Sequence, residues 1–214
     1  MIDVTNDFSS RIGTARNQGM RGTCLAFASS DFNRYNNSTD EPLSVEFLSH
    51  FAAKEIPNWK PGDGLQIAPV IKALGSPGQP KESAYPYREY YDSTPLIVPP
   101  EGLQPLYVSH CIHKTLPCAQ LEKLLLADQA VCLIITLSST FSKPIDGIVA
   151  FDTEFRSGLH AVLAVGIGTH KLTRETHILI RNSWGENWGS NGHAWLSIQY
   201  LEKYLFDSFT METI

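Results

Sequence analysis

The chain has 214 residues, 43% of them apolar and 18% charged, with 17 Lys and Arg against 22 Asp and Glu. That length and composition bury enough surface for one or two cored domains, which excludes a disordered chain and a mini-scaffold held by staples. Divided at Tyr107, basic and acidic counts are 9 and 12 before it and 8 and 10 after it, so neither half is basic and nucleic acid is excluded as an expected partner.

The first eight residues, Met-Ile-Asp-Val-Thr-Asn-Asp-Phe, have no basic start and no apolar stretch, so no secretory signal is expected and the cytosol is the expected compartment. Gly19-Met-Arg-Gly-Thr23 reads as a turn. It runs directly into Cys24–Tyr35, which has no Pro or Gly and repeats Cys24, Ala28, Phe32 and Tyr35 at helical spacing; this predicts a buried helix starting at or near Cys24. A second helix is predicted over Ser44–Lys54 with Ser44 as its N-cap, and a third over Ile67–Leu74. Thr94–Pro105 holds Pro95, Pro99, Pro100 and Pro105, which favours extended backbone. It reads as the crossing between a mainly helical half, 1–107, and a mainly β half, 108–214.

In the second half a short helix is predicted over Ala119–Leu126, followed by strands at Val131–Leu137, Ala161–Ile167, Ile178–Arg181 and Ala194–Ile198, all apolar and partly β-branched. The longest apolar run, Ala130–Ile135, has six residues, against the about 20 that a membrane-crossing helix needs; no membrane partner is expected. Cys24, Cys111, Cys118 and Cys132 are too few and too irregularly placed for a disulfide framework, which suits a reducing compartment.

An antiparallel hairpin made of the second and third strands places His160 just before one strand and Asn182 just after the other, at the same open end. Their midpoint is residue 171 and the centre of the connection is 173, so the pairing has to accommodate a bulge or a small shift of register. A carboxamide oxygen accepting one imidazole N–H fixes the ring and leaves its other nitrogen for proton transfer. The nucleophile such a base would serve is Cys24, since a helix N-terminus favours thiolate over thiol.

These residues carry a specific resemblance. Gln18-Gly-Met-Arg-Gly-Thr-Cys24-Leu-Ala-Phe27, His160-Ala-Val and Asn182-Ser-Trp-Gly-Glu-Asn-Trp-Gly-Ser-Asn-Gly192 resemble, in order, the motifs of the papain family of cysteine peptidases. His160 and Asn182 follow Cys24 by 136 and 158 residues, against about 130–150 in that family. Leu43-Ser-Val-Glu-Phe-Leu48 is similar to the family's second helix, Gly62-Asp-Gly-Leu65 to its substrate-edge glycine loop, and Ala84-Tyr-Pro-Tyr87 fits as well. The resemblance implies an α+β, papain-like fold: a helical half and an antiparallel β-barrel-like half with the active-site cleft between them.

It also implies roles. Cys24 is the expected nucleophile, His160 the proton carrier, Asn182 its orienting partner, Gln18 an oxyanion-hole donor and Trp184 a cover for the His160–Asn182 hydrogen bond. Asp63 and Gly64 are expected to pair with an extended peptide, and Leu65, Ile134 and Gly158 to frame the specificity pocket and favour an aliphatic or small residue two before the scissile bond. No metal or organic cofactor is implied. Secreted members carry a cysteine three residues before the nucleophile, paired to one near the glycine loop; here Arg21 stands at the first place and no cysteine at the second. Leu25 follows the nucleophile where the family usually has Trp.

Other residues read more plainly. Cys132 lies in an apolar strand and belongs to the core. His110, Cys111, His113 and Cys118 match no common zinc-ligand spacing, and His50, His170, His177 and His193 have no partner motif. Gly166-Ile-Gly168 lacks a further glycine at Lys171, which excludes a dinucleotide loop, and Asn37-Ser-Thr39 reads as a turn. The expected function is that of a cysteine endopeptidase acting on protein or peptide in a reducing cytosol, as a housekeeping enzyme or as an effector or toxin delivered into another cell. Two alternatives stay open: an acyl-transfer enzyme such as a transglutaminase or deamidase, and a binding module without catalysis. With 23 residues before Cys24, control by a separate inhibitor or immunity protein is expected.

Overall fold

A computed structural model describes residues 1–89 and 98–212. Its helices are α1 (Cys24–Asn37), α2 (Val45–Lys54), α3 (Ile67–Gly75), α4 (Cys118–Leu126) and α5 (Ile198–Tyr204). Its strands are β1 (Ile2–Asp7), β2 (Cys111–His113), β3 (Val131–Ser138), β4 (Ile148–Val149), β5 (Phe155–His170), β6 (Thr176–Arg181), β7 (His193–Ser197) and β8 (Leu205–Met211). The described residues form two compact units: one of Gln18–His113 with the C-terminal end from Met211, the other of Met1–Asn17 with Lys114–Thr210.

The first unit is built on α1, whose residues from Leu25 to Arg34 are all buried, polar ones included. Hydrogen bonds offset the burial of polar side chains, although Ser29 Oγ has none among the described residues. Asn33 donates through Nδ2 to Gln79 Oε1 at 2.9 Å and accepts from the Ser109 hydroxyl at 2.7 Å, while Ser30 donates to the Leu43 carbonyl at 2.8 Å. Helix α2 starts where its cap residue predicts: Ser44 Oγ accepts the Phe47 N–H at 3.1 Å. Of the proline-rich stretch, residues 94–97 lie outside the described residues, and 98–105 form no helix or strand.

In the second unit, β5 is the organising strand. One of its edges pairs antiparallel with β3 along Phe155–Ala164 and then with β1 along Gly166–His170; the other pairs with β6. The strand order runs β8-β3-β5-β6-β7-β4 without returning on itself, so the sheet is open where a barrel-like closure is expected from the resemblance. The pairings of β3, β5, β6 and β7 with one another and with β8 are antiparallel as expected, and only the two-residue end strand β4 of this order lies parallel, to β7.

Tertiary pairing also extends β5 at both ends beyond the apolar run 161–167. At the other boundary, Ser197 ends β7 by accepting the Tyr200 N–H at 3.1 Å, so Ile198 opens α5 instead of closing a strand. Gly166 and Gly168 have a packing reason: a Cβ there would lie 2.6 Å from the Asn6 carbonyl oxygen and 2.8 Å from the Asp3 carbonyl oxygen. Only bare backbone lets β1 approach β5 so closely.

Candidate active site

In the sheet unit, β5 carries His160 opposite Ile135 of β3, and Asn182 is the first residue after β6. The register of β5 against β6 slips between Ala164 and Gly166, a bulge that reconciles the hairpin with the spacing of the two residues. His160 and Asn182 are both buried, and His160 Nε2 lies 2.7 Å from Asn182 Oδ1. That same oxygen accepts the Ser183 backbone N–H at 2.8 Å. Because a backbone N–H can only donate, the carboxamide orientation is set by Ser183, and His160 must donate from Nε2; the lone pair of the neutral ring then sits on Nδ1.

Aromatic rings enclose this pair. Trp184 lies 4.8 Å from the His160 ring centroid and Phe141 lies 5.8 Å from it, edge-on. Phe141 in turn meets Trp184 at 5.5 Å and Trp188 at 5.1 Å, and the Trp188 indole N–H donates to the Phe141 carbonyl at 3.1 Å. Burial pushes the His160 pKa down to about 4, with the Asn182 hydrogen bond pulling the other way. Next to Asn182, the buried Arg181 guanidinium donates to the Gly13 and Thr14 carbonyls at 2.6 and 2.5 Å and ties down the chain that follows β1.

In the helical unit, Cys24 is the first residue of α1 and is half-buried. A helix of 14 residues with no acidic residue in its first turn directs N–H groups and the positive end of its dipole at that thiol. Gln18, also buried, donates from Nε2 to the Arg21 carbonyl at 2.8 Å, which draws its carboxamide over the turn that leads to Cys24. The Tyr87 hydroxyl donates to the Gln18 carbonyl at 2.8 Å, and the Thr23 hydroxyl lies 2.8 Å from the same Tyr87 oxygen.

The expected substrate-contact residues fall into both units. Asp63 and Gly64 are exposed in the loop after α2, with Leu65 half-buried beside them. The Gly64 carbonyl accepts the Trp59 indole N–H at 3.1 Å, and the Asp63 carboxylate accepts the Lys60 N–H at 2.7 Å. A Cβ on Gly22 would lie 3.4 Å from the Asp63 carbonyl oxygen, so this loop packs on the turn before Cys24. In the other unit, Ile134 is buried in β3, opposite Ala161, and Gly158 sits exposed in β5 at a φ of 143°.

Sequence reasoning misses Phe141 and the partners of Arg21, and it names Tyr87 without giving it a role. Phe141 lies in an irregular connection with no local signal, and Tyr87 carries only the weak Tyr-Pro-Tyr signature. None of the four cysteines, all among the described residues, is in a disulfide. Among the described residues no three His, Cys, Asp or Glu side chains are grouped to hold a metal ion.

The sequence model described as papain family cysteine protease matches residues 1–208. A segment of 38 residues is 55% identical to mouse cathepsin K; it covers 18% of this chain and 11% of that protein. Among solved structures, xylellain, a cysteine protease from Xylella fastidiosa, superposes with a TM-score of 0.82 at 20% identity, covering 100% of this chain and 87% of the other. A cysteine protease of Carica candamarcensis in complex with E-64 superposes with a TM-score of 0.70 at 24% identity, covering 94% and 93%. The structural likenesses establish a papain-like fold, and the family match over residues 1–208 shows that this chain belongs to the papain family of cysteine proteases.

Proposed function

We propose that the chain is a cysteine endopeptidase in which Cys24, His160 and Asn182 perform the chemistry and Gln18 stabilises the oxyanion. The observation that carries this reading is the buried hydrogen bond from His160 Nε2 to Asn182 Oδ1, which reserves Nδ1 for proton transfer. His160 Nδ1 takes the Cys24 thiol proton, and the thiolate attacks the peptide carbonyl carbon to form a C–S bond. The negative charge that develops on the carbonyl oxygen is met by the Gln18 Nε2–H and Cys24 backbone N–H groups.

The imidazolium then gives its proton to the leaving amine nitrogen as the C–N bond breaks, leaving a thioester. Water gives a proton to His160 Nδ1 and its oxygen to the acyl carbon, the C–S bond breaks as the imidazolium returns that proton to the Cys24 sulfur, and the acid leaves. Every proton moved in this cycle passes through Nδ1, so a tautomer fixed in advance removes one reorganisation from each step. Leu65 and Ile134, the positions that resemble the family's specificity residues, are both apolar, which supports an aliphatic residue two before the scissile bond. Work in a reducing compartment is supported by four cysteines of which none is in a disulfide.

The test is hydrolysis of a fluorogenic peptide with an aliphatic residue at that place. Cys24→Ala and His160→Ala are each expected to lose at least about 10³-fold in kcat while remaining folded, and Asn182→Ala to lose less than His160→Ala. Turnover by Cys24→Ala within tenfold of the unaltered enzyme would exclude the mechanism.

A further inference from the structure

The turn 19–23 between Gln18 and Cys24 is pinned by an arginine buried in a setting that local sequence gives no reason to expect. Met20 beside it is 95% exposed, yet Arg21 is 3% exposed. Its Nη1 and Nη2 form a fork on the Glu46 carboxylate of α2, at 2.5 and 3.2 Å, and Nη1 also donates to the Arg88 carbonyl at 2.5 Å. The guanidinium carbon lies 4.7 Å from the Tyr87 ring centroid, and Glu46 Oε2 accepts the Arg88 N–H at 3.2 Å. A planar guanidinium grips both carboxylate oxygens in a fork while a further N–H meets a carbonyl, a bidentate geometry that a lysine cannot reproduce.

The backbone of the same residue faces the chemistry. The Arg21 carbonyl accepts the Gln18 side-chain Nε2–H and the Thr23 N–H, both at 2.8 Å. Tyr87, whose ring lies under the guanidinium, gives its single hydroxyl proton to the Gln18 carbonyl, so the Thr23 hydroxyl must be the donor in its own contact with Tyr87. One buried cluster thus fixes the start, the middle and the end of the turn.

We propose that Arg21 is a positioning residue for the oxyanion hole: locked to Glu46 and the Arg88 carbonyl, it holds the peptide oxygen that orients the Gln18 carboxamide. This rests on the reading of Gln18 as an oxyanion donor. Arg21 touches no substrate atom, and its effect passes through Gln18. Small errors in donor placement are costly in the transition state and cheap in the ground state, so the loss falls on kcat.

Removing one member of a buried ion pair strands the other, whereas replacing both with apolar residues leaves no lone charge. The informative variant is therefore Arg21→Met with Glu46→Leu. It is expected to fold, to lose about 10- to 100-fold in kcat with KM changed less than about threefold, and to keep the iodoacetamide alkylation rate of Cys24 within about twofold. Placed in a Gln18→Ala background, the same pair of changes is expected to cost less than about threefold further, since the donor it positions is already gone.

Arg21→Lys, which keeps the charge but not the fork, is expected to show the same split at about 3- to 10-fold and serves if the double variant does not fold. The proposal is overturned by unchanged kcat in a folded variant, by turnover and alkylation falling in parallel, or by the full loss recurring without Gln18. A Gln18→Ala enzyme as active as the unaltered one would instead remove the assignment of Gln18 itself.

Discussion

The Trp184 indole lies over the His160 imidazole, with ring centroids 4.8 Å apart and planes inclined by 43°. With Phe141 at the ring edge, this packing takes the imidazole out of water and pushes its pKa down to about 4. An imidazolium at neutral pH in such surroundings requires a compensating anion. If the Cys24 thiolate supplies it, His160 is protonated through neutral pH in the unaltered enzyme and neutral there in Cys24→Ala. Ring ¹⁵N shifts measured from pH 4 to 8 in both proteins decide this, and identical titrations would exclude the ion pair.

The same depressed pKa sets a pH dependence of stability in the Cys24→Ala protein. His160 binds a proton at the ordinary 6.5 when unfolded and at about 4 when folded, so its contribution is complete above pH 6.5 and is lost as pH falls toward 4. His50 and His177 are shifted down by burial as well and act in the same direction. Urea unfolding at pH 7 and pH 5 should show lower stability at pH 5. A further His160→Gln change should shrink that difference, and an equal difference in both proteins would show that His160 carries none of it.

Gln18→Ala is expected to lower kcat by about 10²–10³, the usual loss for one oxyanion donor, while Cys24 reacts with iodoacetamide at nearly its former rate. Alkylation needs the thiolate but develops no oxyanion. Equal losses in both assays would reassign Gln18, through its bonds to Arg21 and Tyr87, to folding of the turn.

Alkylation should also discriminate among the cysteines. Burial pushes the Cys111 thiol up to about 12, burial and neighbouring carboxylates raise Cys118, and Cys132 is fully buried in β3. Cys24 at the start of α1 should therefore be modified first. Peptide mapping after substoichiometric iodoacetamide checks the order, and Cys118 or Cys111 ahead of Cys24 would argue against an activated thiolate.

Gly166→Ala and Gly168→Ala should each destabilise the protein by about 1–3 kcal/mol, because the added methyl group meets β1 backbone. Amides of Ile2–Asp7 should then exchange with solvent faster than those of β6, which hydrogen-exchange mass spectrometry resolves. Unchanged protection of β1 would mean that the strand shifts to make room at little cost.

Much of the site is written locally. The start of α1 at Cys24 follows from a glycine-flanked turn running into helical spacing, and Ser44 caps α2 because its hydroxyl needs only the N–H three residues on. The meeting of His160 and Asn182 follows from one hairpin, a bulge included. What surrounds these groups was decided by packing between distant segments. Arg21 is one residue of a predicted turn, standing where secreted relatives carry a cysteine, until the fold brings Glu46 from 25 residues away and the Arg88 carbonyl from 67. Gly166 and Gly168 read as a broken nucleotide motif until β1, from the opposite end of the chain, lies against them. Spacing and capping act over a few residues and are legible in sequence, whereas the partner of a buried charge or a bare backbone is chosen only when the whole chain has closed around it.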